Sequence, residues 1–239
     1  MIPKVIHYVW LGGKPLPKLA EKCIKSWKKF APDYEIKEWN EANLNIQKYP
    51  FAQKAMELKD YAFASDVMRL DVLYENGGIY LDVDVELIRP IDEFLTHPSF
   101  IGLESKNLIN PGAIYGSIAK NQDILDILEI YKSMNYIKDG KPNKILIPDI
   151  FTEYYKNKGF NGKNELQILN SIAIYPTEYF SPYDTITNKL HKTQNTHSIH
   201  HLKGLWYTPK QRFLRCCKKI ANFFTFGLFG KQLEKNKEK

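Results

Sequence analysis

Cysteine is scarce in this chain of 239 residues, which contains only three: Cys23, Cys216 and Cys217. Two of them are adjacent and the third stands apart, so the spacing indicates neither a disulfide framework nor a zinc site. Long apolar runs are missing as well, and no stretch approaches the ~20 residues that a bilayer-spanning helix needs. The first residues lead directly into a strand-like segment, so we expect no signal peptide. A reducing, cytoplasmic setting is therefore expected.

Excess charge is also absent from most of the chain. Residues 210–239 carry nine Lys or Arg and two acidic residues, a net +7, and the whole chain is +7, so residues 1–209 are neutral. A neutral body argues against nucleic acid as a partner. With 44% hydrophobic residues and this length, residues 1–209 are expected to form one α/β domain with a sizeable core.

Two carboxylates directly follow an apolar segment near the middle of the chain. Ile79, Tyr80 and Leu81 are strand formers, and Asp82 and Asp84 come straight after them. Residues two apart share one face of a continuing strand. Neighbouring carboxylates repel each other unless a cation lies between them, and oxygen ligands select Mg²⁺ or Mn²⁺. The pattern predicts a metal–diphosphate site, with an acidic loop at a strand end as the plainer alternative.

A helix is predicted immediately before this strand. From Ala62 to Tyr74 the apolar residues recur at helical spacing. Asp66 and Arg69 lie three apart, so their side chains are neighbours on one face. The planar guanidinium of Arg69 suits a phosphate or sugar hydroxyl, although a structural ion pair is the default interpretation of such a pair.

The pattern S-D-x-x-R-x-x-x-L-x-x-x-G-G-x-Y-x-D-x-D resembles the core of the family 32 glycosyltransferases, which include bacterial capsule and lipopolysaccharide sugar transferases. The matching residues are Ser65, Asp66, Arg69, Leu73, Gly77, Gly78, Tyr80, Asp82 and Asp84. The resemblance covers roughly residues 1–208. It implies an α/β fold of the GT-A type, a Rossmann-like nucleotide-sugar-binding domain whose mixed central sheet is flanked by helices.

The resemblance also implies roles for single residues. Asp66, Arg69, Asp82 and Asp84 would act in catalysis and bind the donor sugar or the metal. Further donor contacts would come from Trp10, which would stack on the base, and from Tyr80, Asn110 and Trp206. Adjacent histidines point to opposite faces of a strand, so at most one of His200 and His201 reaches the site. We favour His201 as the third metal ligand, because its spacing to Gly204 matches the family pattern.

The charged tail predicts contact with a membrane. Apolar residues between Gln211 and Phe229 recur on one helical face, with Lys and Arg elsewhere, which is typical of a helix that binds an anionic bilayer surface. A helix packed on the domain is the alternative. We therefore expect two parts, a transferase domain in residues 1–209 and a membrane-associating extension in residues 210–239, with the protein peripheral at the inner face of the cell membrane.

The function expected from these features is metal-dependent, retaining transfer of a sugar from a nucleotide-sugar to a hydroxyl of a saccharide or lipid-linked oligosaccharide. UDP-hexose is the favoured donor, and capsule, lipopolysaccharide or exopolysaccharide synthesis in a bacterium is the expected context. Two alternatives stay open at this point. One is a phosphatase resembling the haloacid dehalogenases, whose apolar strand also ends in D-x-D. The other is a non-catalytic membrane adaptor that has kept a transferase shell.

Overall fold

A computed structural model describes residues 1–104, 107–184, 187 and 189–205 of the chain. The chain divides into two compact units, Met1–Leu202 and Lys203–Lys239. The predicted domain boundary after residue 209, the predicted tail helix and Trp206 all lie outside the described residues.

Short strands make up much of the first unit. In chain order they are β1 (Val5–Val9), β2 (Glu35–Trp39), β3 (Gly78–Tyr80), β4 (Val85–Leu87), β5 (Ser99–Glu104), β6 (Leu108–Ile109), β7 (Tyr115–Ser117), β8 (Ile137–Lys138), β9 (Lys141–Pro142), β10 (Gln167–Leu169), β11 (Ile172–Tyr175), β12 (Tyr183–Asp184), β13 (Lys189–Leu190) and β14 (Ser198–His200).

Helices lie between these strands. They are α1 (Lys18–Phe30), α2 (Pro50–Glu57), α3 (Tyr61–Asn76), α4 (Gln122–Ser133), α5 (Ile147–Lys156) and α6 (Thr177–Phe180), with 3₁₀ turns at Ile46–Lys48 and Asp92–Thr96. Within the described ranges, every helix falls short of the length or the hydropathy that a bilayer-spanning helix needs.

The central sheet has the strand order β10-β11-β5-β7-β3-β1-β2, with β6 added beside β5. Strand β1 runs parallel to β2 and β3, whereas β7 is antiparallel to both β3 and β5. Strand β11 is parallel to β5, and β10 is antiparallel to β11. The sheet is therefore mixed and is flanked by helices, as predicted.

Helix α3 ends where the sequence predicts. Gly77 follows its last residue with a positive φ of 65°, and a Cβ there would lie 2.7 Å from the backbone nitrogen of Ala119. Glycine is suited to this position because it has no Cβ and adopts positive φ without strain. The chain turns at once into β3, so α3 and β3 are adjacent and hold Arg69 close to Asp82.

Strand directions decide which loops meet. Because β1, β3 and β5 run the same way, their carboxyl ends lie at one edge of the sheet. Strand β7 runs the other way, so the loop that enters it, including Asn110 and Gly112, reaches the same edge. Ligands of open α/β sheets bind beyond the carboxyl ends of the strands. A ligand site is therefore expected at this edge.

Candidate active site

A turn, rather than a continuing strand, carries the two central carboxylates. Strand β3 stops at Tyr80, and the backbone nitrogen of Val85 donates to the carbonyl of Asp82 at 2.9 Å. The nitrogen of Asp82 donates to the carbonyl of Gly112 at 3.0 Å, which ties the turn to the loop before β7. The two carboxylates therefore follow the end of β3, as the sequence predicts, and a turn rather than a continuing strand brings both side chains into one group.

The third member of this group comes from the far end of the unit. Strand β14 pairs with β4 in antiparallel fashion and sets His200 opposite Val85, next to Asp84. His200 Nε2 lies 3.4 Å from Asp84 Oδ1 and 3.9 Å from Asp82 Oδ2. One ligand atom from each of these three residues lies within 4.8 Å of the other two. Two carboxylates and an imidazole at this spacing are a suitable ligand set for a divalent cation.

His201, which we predicted as the metal ligand, points elsewhere. Its Nε2 lies 2.9 Å from Glu86 Oε2, and the same carboxylate accepts a hydrogen bond from Lys22 at 3.0 Å. Side chains alternate along β14, so its neighbour His200 takes the face toward Asp84. The choice of His201 was wrong, because the distance to Gly204 in sequence does not determine the face of a strand.

The pKa of His200 is raised by the carboxylates that surround it. Burial alone would lower the pKa of His200, but Asp84, and after it Glu104 and Asp82, raise that pKa to about 9. The side chain of His200 is only 5% exposed. A buried cation is therefore favoured at this position, whether it is a protonated imidazole or a metal ion.

Arg69 joins the carboxylates of α3 and of the turn. Its Nη2 lies 2.8 Å from Asp66 Oδ1, and its Nη1 lies 3.1 Å from Asp82 Oδ1. The guanidinium packs over the ring of Tyr80, whose hydroxyl also donates to Asp82 at 3.1 Å. Other N–H groups of Arg69 donate to Ser65, so most of its donors are already used. The arrangement fixes the direction of the Asp82 carboxylate.

Asp66 is held in the same cluster. Its side chain is 13% exposed. Burial raises the pKa of Asp66 to about 6, with Arg69 opposing the shift and Asp82 adding to it. The carboxylate is therefore ionised at neutral pH but more basic than an exposed aspartate, which suits an acceptor of hydrogen bonds from hydroxyl groups.

Gly112 allows the loop before β7 to lie directly against these side chains. A Cβ at this position would overlap the Asp82 carboxylate and would lie 2.8 Å from Arg69 Nη1. The nitrogen of Gly112 donates to Asn110 Oδ1 at 2.8 Å, and Asn110 Nδ2 donates to Glu104. Asn110, a predicted donor contact, therefore lies at this edge, and its amide also contacts neighbouring protein groups.

Trp10 lies just beyond the end of β1. Its indole is 8% exposed and its Nε1 donates to the carbonyl of Lys14 at 2.6 Å. The loop continues to Gly12, where a Cβ would lie 2.7 Å from the ring of Tyr61 at the start of α3. Stacking of Trp10 on a base stays a prediction, and the predicted contact of Trp206 lies outside the described residues.

The sequence reasoning missed three residues at this edge. It did not assign His200 to the group with Asp82 and Asp84, and it did not identify Glu104 or Gly112. Glu104 carried a signal, because it is a charged residue that ends an apolar strand at the edge where ligands bind. Gly112 lies in an Asn-Pro-Gly turn, which the sequence marks as a turn without showing what packs against it.

Comparisons with known proteins show what the chain is similar to. The family model described as "Glycosyltransferase sugar-binding region containing DXD motif" matches residues 17–101. An uncharacterised glycosyltransferase of Acanthamoeba polyphaga mimivirus is 27% identical over 200 residues, which cover 76% of each chain. Inositol phosphoceramide mannosyltransferase 3 of Schizosaccharomyces pombe is 33% identical over 104 residues, and the match spans 42% of this chain and 29% of that enzyme.

A solved structure supports the architecture. The PaToxG glycosyltransferase matches with a TM-score of 0.54 at 22% identity, over 66% of this chain and 70% of that one. The fold with its mixed sheet is that of the GT-A glycosyltransferases. The sugar-binding family model and the relatives further indicate that the chain is a glycosyltransferase enzyme, which disfavours both the phosphatase and the adaptor alternatives.

Proposed function

We propose that this enzyme transfers a sugar from a nucleoside-diphosphate sugar, with UDP-hexose as the favoured donor, to a hydroxyl of a saccharide acceptor. The observation that carries the proposal is the group of Asp82, Asp84 and His200 at the carboxyl edge of the sheet, in which Asp84 and His200 are buried and Asp82 is partly exposed. Hard oxygen ligands with one imidazole fit Mg²⁺ or Mn²⁺, and either ion fits the proposed role. When bound, such an ion would neutralise the negative charge that develops on the leaving diphosphate.

The protein groups have separable tasks in this proposal. Asp84, which is 6% exposed, holds the cation together with His200. Asp82 faces both the cation position and Arg69, so it can hold the cation or accept a hydrogen bond from the donor. Asp66 accepts hydrogen bonds from sugar hydroxyls. Arg69 mainly orients these two carboxylates, because its donors are directed at protein groups.

Positioning accounts for much of the expected rate. Fixing the donor relative to the acceptor hydroxyl turns a bimolecular encounter into an effectively unimolecular step, and it requires a rigid set of contacts. The chain of contacts from Ser65 through Arg69 to Asp82 provides such rigidity, since each side chain in it is held by the next. Retention of the anomeric configuration is proposed from the family resemblance, and NMR of the first-formed product would test it.

Binding of donor and metal can be tested before any acceptor is known. Thermal unfolding of the full chain would be followed with UDP-, GDP-, CMP- and dTDP-sugars, each with and without Mn²⁺. A ligand that binds only the folded state raises the midpoint by mass action. We expect one nucleotide to raise it in a metal-dependent way, and we expect Asp84→Asn to abolish that increase.

Glu86→Gln is the matched control for that experiment. Glu86 is a carboxylate two residues from Asp84, but it contacts His201 and Lys22 rather than the proposed site. The control should respond to donor and Mn²⁺ like the wild type. A wild-type protein that is folded and responds to no donor, or an Asp84→Asn variant that responds normally, would contradict the proposal.

We also propose that the acceptor is lipid-linked and that the protein is peripheral at the inner face of a bacterial cell membrane, where it would serve capsule, lipopolysaccharide or exopolysaccharide synthesis. The support is the basic, apolar-faced sequence of residues 210–239 and the S. pombe relative, which is named an inositol phosphoceramide mannosyltransferase. Each Lys or Arg near an anionic bilayer contributes ~1 kcal/mol.

Co-sedimentation with liposomes tests the membrane proposal. The full chain should pellet with vesicles rich in phosphatidylglycerol and not with neutral vesicles. Replacing Arg212, Arg215, Lys218 and Lys219 by Ser should release it. Equal pelleting of the wild type and the fourfold variant would contradict a role for these charges.

A further inference from the structure

One ring nitrogen of His200 is left without a partner. Nε2 faces Asp82 and Asp84, but Nδ1 is buried and accepts or donates no hydrogen bond within the part of the chain that the structure describes. A buried polar atom without a partner costs about 1–3 kcal/mol. An unpaired buried nitrogen in a binding site indicates that a neighbouring group forms a hydrogen bond with it when the site binds its ligand.

The nearest charged group to this nitrogen is a carboxylate that the proposed function has not used. Glu104 is the last residue of β5, and its Oε2 lies 3.9 Å from His200 Nδ1. The carboxylate is 18% exposed and accepts a hydrogen bond from Asn110 Nδ2. Asn110 is itself fixed, because its Oδ1 accepts from the nitrogen of Gly112. Glu104 is therefore held beside the imidazole by hydrogen bonds that do not involve the carboxylates of Asp82 and Asp84.

We propose that Glu104 is a positioning residue for His200, whose Nδ1–H it accepts so that the Nε2 lone pair points at the cation position between Asp82 and Asp84. This inference rests on the proposed metal-dependent function. An imidazole that ligates a metal through one nitrogen carries a proton on the other, and the partner of that proton fixes the tautomer and the ring orientation. A carboxylate is a strong acceptor for this role.

Glu104 is not required as a direct ligand. Among the described residues, the group whose ligand atoms lie within 4.8 Å of one another consists of Asp82, Asp84 and His200, without Glu104. Its effect on a bound cation would therefore pass through the imidazole. That distinction can be measured, because an effect transmitted by His200 disappears when His200 is absent, whereas the effect of a nearby charge does not.

The experiment is a double-mutant cycle on the full chain, with Mn²⁺ binding measured by calorimetry in the absence of donor. Glu104→Ala should weaken Mn²⁺ binding by about 10–100-fold, the usual cost of losing a partner of a metal-ligating histidine. In a His200→Ala background the same substitution should change the affinity by less than about threefold. Glu104→Gln, which keeps an acceptor oxygen without the charge, should recover part of the loss.

A second readout reports the ring directly. Long-range ¹H–¹⁵N correlation spectra of the Mg²⁺-loaded protein should show the Nδ1–H tautomer of His200 in the wild type and a loss of that preference in Glu104→Ala. Glu86→Gln is the matched control, because it removes the equivalent carboxylate from the neighbouring His201. It should leave both Mn²⁺ affinity and the His200 signals unchanged.

The outcomes separate the inference from the function on which it rests. A folded wild type that binds no Mn²⁺ overturns the metal site and this inference together. If the wild type binds Mn²⁺ but Glu104→Ala binds it equally well, or loses the same factor with and without His200, only the positioning role of Glu104 is overturned.

Discussion

Two buried histidines of this fold, His7 on β1 and His200 on β14, show how neighbours decide what an imidazole does. His7 Nδ1 accepts from Trp39 Nε1 at 3.0 Å, and its Nε2 lies 2.9 Å from the carbonyl of Gly77 as a donor. Both nitrogens are satisfied by neutral groups, and burial lowers the pKa of His7 to about 4. His7 is therefore a structural residue.

His200 is buried to a similar extent but lies among carboxylates. Asp84, Glu104 and Asp82 outweigh its burial and raise its pKa to about 9. One of its nitrogens also has no hydrogen-bond partner among the described residues. Burial alone therefore does not distinguish a core histidine from one that serves chemistry. The distinction lies in the charge of the neighbours and in whether both nitrogens are already used.

The largest expected difference in turnover is between alanine variants of the adjacent histidines His200 and His201. His200→Ala should lower turnover by at least about 100-fold, a loss typical of removing one preorganised group that stabilises developing charge. The neighbouring His201→Ala should retain turnover within a few-fold, because His201 contacts Glu86 on the other face. Sugar transfer or donor hydrolysis would be measured on both variants, with unfolding midpoints as a check of folding. Equal losses in the two variants would contradict the assignment of His200.

A pair of glycines allows the same comparison at the backbone. A Cβ on Gly78, where φ is 101°, would lie 2.8 Å from His7 Nε2, whereas a Cβ on Gly112 would press on Asp82 and Arg69. Gly78→Ala should therefore lower stability by about 1–3 kcal/mol, because it strains the backbone beside the structural histidine. Gly112→Ala should lower turnover about tenfold or more with a smaller loss of stability.

Denaturant unfolding and initial rates on the two glycine variants measure these effects together. The expectation is a crossed result, with stability reduced more in Gly78→Ala and turnover per folded molecule reduced more in Gly112→Ala. If Gly112→Ala loses only stability, then the close approach of its loop to Asp82 is structural rather than functional.

In the metal-free protein, His200 should determine how the free energy of unfolding changes with pH on the alkaline side. Its folded pKa, about 9, lies above the unfolded value near 6.5, so its stabilising effect is complete below pH 6.5 and is lost as the pH rises through 9. The loss is on the order of 3 kcal/mol, at 1.36 kcal/mol per pKa unit. Urea unfolding in EDTA between pH 6.5 and 9 should show this decline in the wild type and a flatter profile in His200→Asn. A decline of equal slope in the variant would assign it to other groups.

The last expected effect, which is confined to stability, concerns the partner of the structural histidine. Trp39→Phe removes the donor to His7 Nδ1 and leaves that nitrogen unsatisfied, which should lower the free energy of unfolding by about 1–3 kcal/mol. Mn²⁺ affinity should not change, because the side chain of His7 contacts Gly77 and Trp39 rather than Asp82 or Asp84. Mn²⁺ binding to this variant would be measured by calorimetry. Weaker binding would show that His7 and His200 are coupled and would contradict their separate roles.

Much of the fold, and the cluster of Asp66, Arg69 and Asp82, can be predicted from local patterns in the sequence. The helical period of α3, the glycines after it and the apolar segment of β3 are local signals, and they alone bring Asp66, Arg69 and Asp82 together. What local pattern does not show is register between distant segments. His200 reaches Asp84 because β14 pairs with β4, and the sequence contains no mark of that pairing.

The errors follow from the same limit. The sequence places Asp82 and Asp84 after β3, but it does not show that the hydrogen bond from Val85 to Asp82 closes a turn there. Choosing between His200 and His201 requires the face that β14 presents, which only its pairing defines. Glu104 and Gly112 enter through strand order, since β5 and β7 bring them to the edge where β3 ends.

The pairing of β14 with β4 also has a consequence for the order in which the protein is made. More than 100 residues separate the two strands, so a ribosome synthesises Asp82 and Asp84 long before His200. A nascent chain that extends through β4 contains both carboxylates but not yet the imidazole. The binding group is thus completed only after β14 has been synthesised, and the enzyme becomes competent only then.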